Sequence, residues 1–193
     1  MFLIAKPTEE NIKQFVDAQK SSLLSYDDVG ATRDGNTPVG YTIDHNRVQL
    51  GSGRETFERA VEAVRNWKMF DLSWTELYLD NTPIEVGETV TVLIKHFGFW
   101  SMNAARIVYV LDETTEALEK FGFAYGTLTE HGEWGEERFS VEYVKTDESV
   151  WYDLYAFSRP NHFLAKLGYP MSRYLQKQFA AESKQAMMKA IGR

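Results

Sequence analysis

Cysteine is absent from the 193-residue sequence. Disulfide bonds, thiol nucleophiles and cysteine-based metal sites are therefore excluded. The histidines are scattered along the chain without the close spacing that is typical of metal ligands: His45, His96, His131 and His162. From these residues we predict no metal and no other cofactor.

Long apolar runs are also missing. No segment approaches the roughly 18 consecutive apolar residues that a membrane-spanning helix needs. The N-terminal stretch MFLIAKP (1–7) contains an apolar run that is too short for a signal peptide. The sequence therefore predicts a cytoplasmic protein without a transmembrane segment.

An excess of positive charge is the third absence, since the formal net charge is −7. Nucleic-acid binding depends on clusters of Lys and Arg that displace counterions from phosphates, so we predict no nucleic-acid partner. The charge is uneven, because residues 160–193 contain six basic residues and one acid. A basic C-terminal helix commonly suits its own dipole, and it also leaves open a contact with an anionic surface.

What the sequence does contain is a high aromatic share of 14%, from 12 Phe, 10 Tyr and 5 Trp. Such rings fill a thick core or line an apolar pocket. Hydrophobic residues at 44% and charged residues at 25% are typical of globular proteins. Together with the length, these values predict a single domain over 1–193 with a substantial core. They do not indicate the oligomeric state.

The hydrophobic period changes from helical to alternating along the chain. It predicts a helix over 8–24 capped by Thr8, a second helix that begins at Ser52, and a hairpin turn at Asp44-His45-Asn46. After Asp71, alternation with short turns predicts antiparallel strands near 73–80, 88–97, 103–112, 121–129, 136–145 and 149–158. A long helix, interrupted at 168–170, is predicted over 161–191. Its expected buried stripe comprises Met171, Tyr174, Leu175, Phe179, Ala186 and Ala190.

The predicted fold class is α+β. A single sheet of six or more strands has an apolar face that must be covered, and the C-terminal helix is the obvious cover. We therefore predict a curved antiparallel sheet wrapped around that helix, which is the helix-grip arrangement, with additional N-terminal helices. A cavity between sheet and helix is common in this arrangement.

Several stretches, taken together and in order, resemble the bacterial and plant family catalogued as domain of unknown function number nineteen-ninety. The similarity extends over about 29–187. It rests on VGAT (29–32), VGYT (39–42), LGSG (50–53), WKMFDLSW (67–74), FGFAYGTLTEHGEWGEERF (121–139), VWYDLYAFSRP (150–160) and LGYPMSRYLQKQF (167–179). The resemblance implies a helix-grip relationship to the START and birch-pollen-allergen superfamily, and it implies no particular reaction.

Two charged residues are predicted to point into the apolar side of the sheet. Alternation in 136–143 places Glu137 with Phe139 and Val141. Alternation in 104–110 places Arg106 with Val108 and Val110. An inward Arg106–Glu137 pair serves either as a structural bridge between strands or as a ligand site, with Arg106 binding a carboxylate or phosphate and Glu137 orienting it.

Five further residues are candidates for contacts with a ligand. His96 follows Val90, Val92 and Ile94 on one face and is equally compatible with a core position. Tyr125 and Thr127 offer hydroxyls opposite the bare face formed by Gly122, Ala124 and Gly126. The remaining candidates are Arg159, at a helix start or pocket mouth, and Arg173, which lies one turn from Gln176 and can also extend to solvent.

Three functions remain open from the sequence. The first is a binding protein for a hydrophobic or amphipathic small molecule held between sheet and helix. The second is an enzyme of cyclase or hydratase type in the same cavity, with Glu137 or His96 as acid/base. The third is an interaction protein that uses its basic C-terminal helix.

Overall fold

The computed structural model describes residues 2–35, 38–78, 83–96, 98–161 and 169–192. Within these ranges, three helices and a 3-10 turn at Lys68–Phe70 accompany one sheet. The helices are α1 (Glu9–Gln19), α2 (Arg54–Arg65) and α3 (Tyr169–Ala190). The strands are β1 (Phe2–Leu3), β2 (Thr42–Ser52), β3 (Thr75–Tyr78), β4 (Thr89–His96), β5 (Phe99–Thr114), β6 (Leu118–Thr127), β7 (Glu133–Val144) and β8 (Ser149–Pro160).

The sheet is antiparallel throughout, in the order β2-β8-β7-β6-β5-β4-β3, and the short β1 pairs with β5. Consecutive strands from β3 to β8 are neighbours, as their short connections predicted. The sheet is curved, and α3 lies on its concave side. The predicted α+β class and helix-grip arrangement are confirmed.

The hairpin predicted at residues 44–46 is wrong. Residues 42–52 form one continuous strand that pairs with β8 along its whole length. Asp, His and Asn have weak strand propensity, but here each has a partner from another element: Asp44 with Arg173, His45 with Asp153, and Asn46 with Lys184. Long-range pairing therefore overrides the local turn signal.

The concave face carries the larger core. Its centre is a cluster of rings from the sheet, the 3-10 turn and α3. Phe70 lies 5.3 Å from Phe139 and 5.2 Å from Phe179, while Trp67 lies 4.5 Å from Phe123, between ring centroids. These aromatic rings therefore fill the middle of the space between sheet and helix.

The convex face is covered as well, by the N-terminal segment over residues 2–35. Helix α1 begins after Thr8, whose side chain accepts a hydrogen bond from the Asn11 backbone N–H as predicted. Its Ile12, Phe15 and Val16 pack on the outer side of β4 and β5. Because both faces of the sheet are buried, apolar alternation in a strand does not by itself identify the concave side.

The C-terminal helix buries a stripe that matches the predicted one only in part, since Phe179 packs on the concave core as predicted. Met171 and Tyr174 are 45% and 58% exposed, whereas Ala180, Ser183 and Met187 are buried. The small Ala180 and Ser183 let the helix approach the sheet closely, and the Tyr152 hydroxyl is 2.8 Å from Ser183 Oγ. A buried serine carries no apolar signal, so the stripe could not be located from hydrophobicity alone. The predicted interruption lies partly outside the described residues.

The start of α2 also differs from the prediction. The helix begins at Arg54, and Ser52 remains in β2 without capping it. Gly53 turns the chain at a φ of 87°, a left-handed conformation that glycine adopts without strain. This turn aims α2 across the concave side of the sheet.

Candidate functional site

Strand β7 places Glu137 on the concave side, as its alternation predicted. Phe139, Val141 and Tyr143 share that face and belong to the concave core. On the opposite face, Glu136 is buried beneath the N-terminal segment. Period-two geometry was sufficient here because β7 is regular along its pairing with β6 and β8.

Glu137 lies against Tyr125, whose hydroxyl donates a hydrogen bond to Glu137 Oε2 at 2.8 Å. Burial raises the pKa of Glu137 to about 7, and repulsion from Glu133 and Asp44 adds to the rise, while the Tyr125 hydrogen bond opposes it. Burial raises the pKa of Tyr125 well above its ordinary value, so the phenol keeps its proton. In the described part of the chain, Oε1 of Glu137 has no hydrogen-bond partner, although the side chain keeps some open surface.

Glu133 precedes Glu137 on the same face of β7 and connects the sheet to α3. Its Oε2 accepts a hydrogen bond from Gln176 Nε2, which also reaches Ser158 Oγ at 3.0 Å. Burial raises the pKa of Glu133, while hydrogen bonds from Ser172, Ser158 and Gln176 oppose the rise. Two carboxyl groups with raised pKa values thus lie at one end of the concave face.

Arg173 supplies the positive charge of this end. Its Nη2 donates to Asp44 Oδ1 at 2.6 Å, its Nη1 donates to the second Asp44 oxygen, and Nη1 also contacts Gln176 Oε1 at 2.5 Å. The prediction placed Arg173 near the cavity or in solvent, and the structure places it against the sheet, largely buried. We call Asp44, Tyr125, Glu133, Glu137, Ser158, Arg173 and Gln176 the polar cluster.

Arg106 does not belong to the polar cluster, and its predicted inward orientation is wrong. Its guanidinium donates to the backbone carbonyls of Ser22 at 2.9 Å, Lys20 at 2.9 Å and Gln19 at 3.2 Å, on the convex side. It therefore satisfies carbonyls that the end of α1 leaves without helical partners. No Arg106–Glu137 pair forms.

A β-bulge explains the error. The register of β5 against β6 shifts between Ile107 and Tyr109. Ile107 and Val110 both pack on the concave core, whereas Val108 packs on the convex side. The alternation used for prediction assumed a regular strand, and one extra residue reverses the faces beyond it.

His96 and Thr127 are placed away from Glu137. His96 lies at the end of β4, with Nε2 3.0 Å from Ser101 Oγ, and burial lowers its pKa. The residue of β5 that pairs with His96 is eight positions from the residue of β5 that pairs with Tyr125. This separation corresponds to roughly 25 Å along the strand. Thr127 Oγ1 is 2.6 Å from Ser25 Oγ and 2.9 Å from the Gly135 nitrogen, so it joins the N-terminal segment to the first residues of β7.

Arg159 is also on the convex side rather than at the mouth of the concave site, and residues 162–168, over which the predicted helix begins, lie outside the described ranges. Its neighbours in β8 alternate, with Ser158 facing the polar cluster and Phe157 packing against Tyr26 and Tyr41. Asp44 and Glu133 were not singled out from the sequence. Glu133 lies four positions before Glu137 in β7 and therefore on the same face, so extending the predicted strand would have identified it. Asp44 was not identified because it was assigned to the predicted turn.

A groove of about 240 Å³ lies elsewhere on the surface, between α2 and the β5–β6 hairpin. Phe57 and Phe121 form part of its lining, and Arg54 and Glu119 pair beside it with two contacts of 2.6 Å. Three charged residues of its lining already pair with residues outside the groove, so we regard the polar cluster as the better candidate site: Glu113 with Arg33, Glu119 with Arg54, and Lys120 with Glu142. Within the described ranges, no group of three or more His, Asp or Glu residues is arranged to hold a metal ion.

Replacing Glu137 by glutamine is expected to stabilise the protein at alkaline pH. Because folding raises the Glu137 pKa from 4.5 to about 7, the protonated side chain favours the folded state below pH 4.5, and that contribution is lost as pH rises through 7. Glutamine stays neutral, so the variant should gain roughly 1–3 kcal/mol over the wild type between pH 4.5 and pH 8. Urea unfolding of both proteins at pH 4.5 and pH 8 measures this difference. If the variant and the wild type differed in stability by the same amount at both pH values, the prediction would be contradicted.

The architecture is the helix-grip fold. The crystal structure of Ara h 8.0201 matches with a TM-score of 0.50 at 10% identity, covering 79% of this chain and 98% of that chain. Human STARD10 matches with a TM-score of 0.47 at 10% identity, covering 98% and 81%. At this identity the match with Ara h 8.0201 shows the fold alone.

The chain belongs to the family described as Domain of unknown function (DUF1990), whose profile matches residues 25–186. A UPF0548 protein of Dictyostelium discoideum is 40% identical over all of this chain and 96% of the relative. One of Arabidopsis thaliana is 40% identical over 79% of this chain and 74% of the relative. The family resemblance seen in the sequence motifs is thus confirmed. No helix in the described ranges is long and apolar enough to cross a membrane.

Proposed function

We propose that this protein binds an amphipathic small molecule at the polar cluster, with Glu137 contacting the polar group of the ligand. The observation that carries the proposal is the Glu137 carboxyl, which is desolvated yet keeps an unpartnered oxygen and some open surface. A desolvated side chain that keeps accessible surface lies next to a space and is not fully packed against neighbouring side chains.

The surroundings of Glu137 suit a ligand with one polar end. Next to Tyr125, the concave core continues through the fully buried ring of Phe139 to the partly exposed ring of Phe179, with ring centroids 6.3 Å apart and nearly perpendicular. Sites of this kind are mostly apolar with a few placed polar groups. Below a pH of about 7 the Glu137 carboxyl is a donor and above it an acceptor, so ligand affinity should depend on pH in this range.

Native mass spectrometry of the gently purified full chain tests the proposal. We expect an additional mass that denaturation releases, and we expect Glu137→Leu to lose it while keeping the far-UV circular dichroism of the wild type. Glu113→Gln, at an exposed position of β5, is the matched control and should retain the mass. A wild-type protein that stays free of added mass after incubation with host lipid and metabolite extracts would refute the proposal.

A second candidate function is acid/base catalysis by Glu137 on the same ligand. It is favoured by the pKa of about 7, which suits proton transfer near neutral pH. The ligand released in the previous experiment distinguishes the two. Catalysis requires that the wild type converts it and that Glu137→Gln binds it without conversion.

The basic C-terminal helix supports the interaction function less well. Arg173 is paired with Asp44, and Lys184 Nζ is 3.4 Å from Asn46 Oδ1. Among the basic residues of α3 that the structure describes, Lys177 and Lys189 are exposed. Two separated lysines make a weak anionic-surface contact.

A further inference from the structure

The end of β8 carries a separate feature on the convex side of the sheet, opposite the polar cluster. The guanidinium carbon of Arg159 is 4.6 Å from the ring centroid of Tyr41 and 4.8 Å from that of Trp134. Trp134 is the direct cross-strand partner of Arg159 in the β7–β8 pairing. The Tyr41 ring is fixed in turn by an edge-on contact with Phe157 at 5.0 Å. Two aromatic rings therefore hold the guanidinium in place.

Arg159 has no anionic partner in the described part of the chain. It forms no ion pair and no hydrogen bond there, and its Nε is buried without an acceptor. Its two Nη atoms are not buried, so they remain open to solvent. By contrast, Arg138 on the same face donates to the carboxylate of Asp153 at 2.7 Å. A partly buried arginine without a carboxylate leaves its charge uncompensated by the protein.

The two side chains that stack on Arg159 add hydrogen-bond donors. The Tyr41 hydroxyl and the Trp134 indole N–H also lack side-chain partners within the described residues, and both side chains are partly exposed. Burial raises the Tyr41 pKa, which Arg159 opposes and the nearby Asp27 and Asp28 reinforce. Neither aspartate reaches ion-pair distance of Arg159. Guanidinium and indole groups can only donate, so the stack offers three donor groups to an incoming acceptor.

We propose that Arg159, Tyr41 and Trp134 form an oxyanion-binding site for the phosphate or carboxylate group of a ligand. A planar guanidinium with both Nη atoms open binds such a group through two parallel hydrogen bonds. The rings on either side keep the fork immobile, which lowers the entropic cost of binding. The site is independent of the Glu137 site because it lies on the opposite face of the sheet.

Titration of the isotope-labelled full chain with inorganic phosphate, and separately with acetate, tests the site at constant ionic strength. The indole N–H signal of Trp134, assigned by its loss in Trp134→Phe, should shift and saturate with at least one of the two anions. Arg159→Met should abolish the saturation. Arg159→Lys keeps the positive charge but lacks the planar guanidinium, so it should weaken anion binding about tenfold. If Arg159→Met does not fold, Arg159→Lys takes its place in the experiment.

Arg65→Met is the matched control. Arg65 also stacks on a ring, 4.1 Å from the centroid of Phe121, but its side chain is exposed. This variant should leave the titration unchanged. The proposal would be overturned if the Trp134 indole signal shifted linearly with both anions, or if it shifted equally in Arg159→Met. Arg159 would then have only a structural role.

A vesicle experiment distinguishes a lipid headgroup from a soluble ligand as the source of the oxyanion. If the natural ligand is a lipid phosphate, the wild type should cosediment with phosphatidylcholine vesicles that contain phosphatidic acid, and Arg159→Met should remain in the supernatant. Saturable phosphate or acetate binding without sedimentation assigns the site to a soluble anion. Absence of both responses overturns the proposal.

Discussion

Replacing Phe139 by alanine is expected to lower the free energy of unfolding by about 4 kcal/mol. Phe139 is fully buried in the middle of the concave core. Its ring centroid lies 5.3 Å from those of Phe70 and Tyr125, 5.4 Å from that of Phe123 and 6.3 Å from that of Phe179. Because these rings come from β6, the 3-10 turn and α3, alanine leaves a void at the junction of three elements. Urea unfolding monitored by circular dichroism measures the loss.

Two further variants calibrate the Phe139 result. Phe139→Leu keeps most of the volume and should cost about 1–2 kcal/mol. Phe99→Ala removes a ring that is 53% exposed, and it should change the stability by no more than about 0.5 kcal/mol. If Phe139→Ala were as stable as Phe99→Ala, the concave core would not be closed by these rings.

Replacing Glu136 by glutamine is expected to cost about 3 kcal/mol and to loosen the N-terminal segment. Glu136 Oε2 accepts hydrogen bonds from the Tyr26 hydroxyl and the Gly30 backbone N–H, both at 2.7 Å. Oε1 accepts from the Thr32 backbone N–H at 3.0 Å and from the Thr32 hydroxyl. Glutamine has nearly the same shape, but its amide NH₂ faces donors, so at least two buried donors lose their acceptor.

Urea unfolding measures the Glu136 effect globally, and limited proteolysis measures it locally. Cleavage within residues 20–35 should become faster in Glu136→Gln than in the wild type, because that carboxylate holds this part of the N-terminal segment against the convex face. Glu116→Gln removes an exposed carboxylate that forms no ion pair in the described part of the chain, and it serves as the control. Unchanged proteolysis with unchanged stability would show that the segment is anchored by its apolar contacts alone.

The convex-face anchor also explains why one strand of this sheet has small residues on its outer side. A Cβ atom on Gly126 would lie 2.1 Å from the Tyr26 hydroxyl oxygen, so the bare face noted in β6 accommodates the N-terminal segment. The same segment is held at its other end by the Arg106 guanidinium on the carbonyls after α1. An arginine predicted to bind a ligand thus has a structural position.

Regular elements were predictable where one local rule applied without interruption. Thr8 caps α1, the strands from β3 to β8 follow one another in order, and Glu137 faces the concave core because β7 has no bulge. The family motifs were likewise readable from the residues alone. Within the polar cluster, Tyr125, Glu137 and Arg173 were singled out from the sequence, whereas Asp44 and Glu133 were not.

What the sequence by itself determined is therefore the class of fold, the order of the strands and the face of Glu137, because period and turn chemistry are local properties. Only the tertiary structure decided that 42–52 is one strand, that the bulge after Ile107 turns Arg106 outward, and that Arg159 lies between Tyr41 and Trp134. Each of these depends on a partner distant in sequence, and the covering of both sheet faces removes the polarity difference that would otherwise identify the inner one.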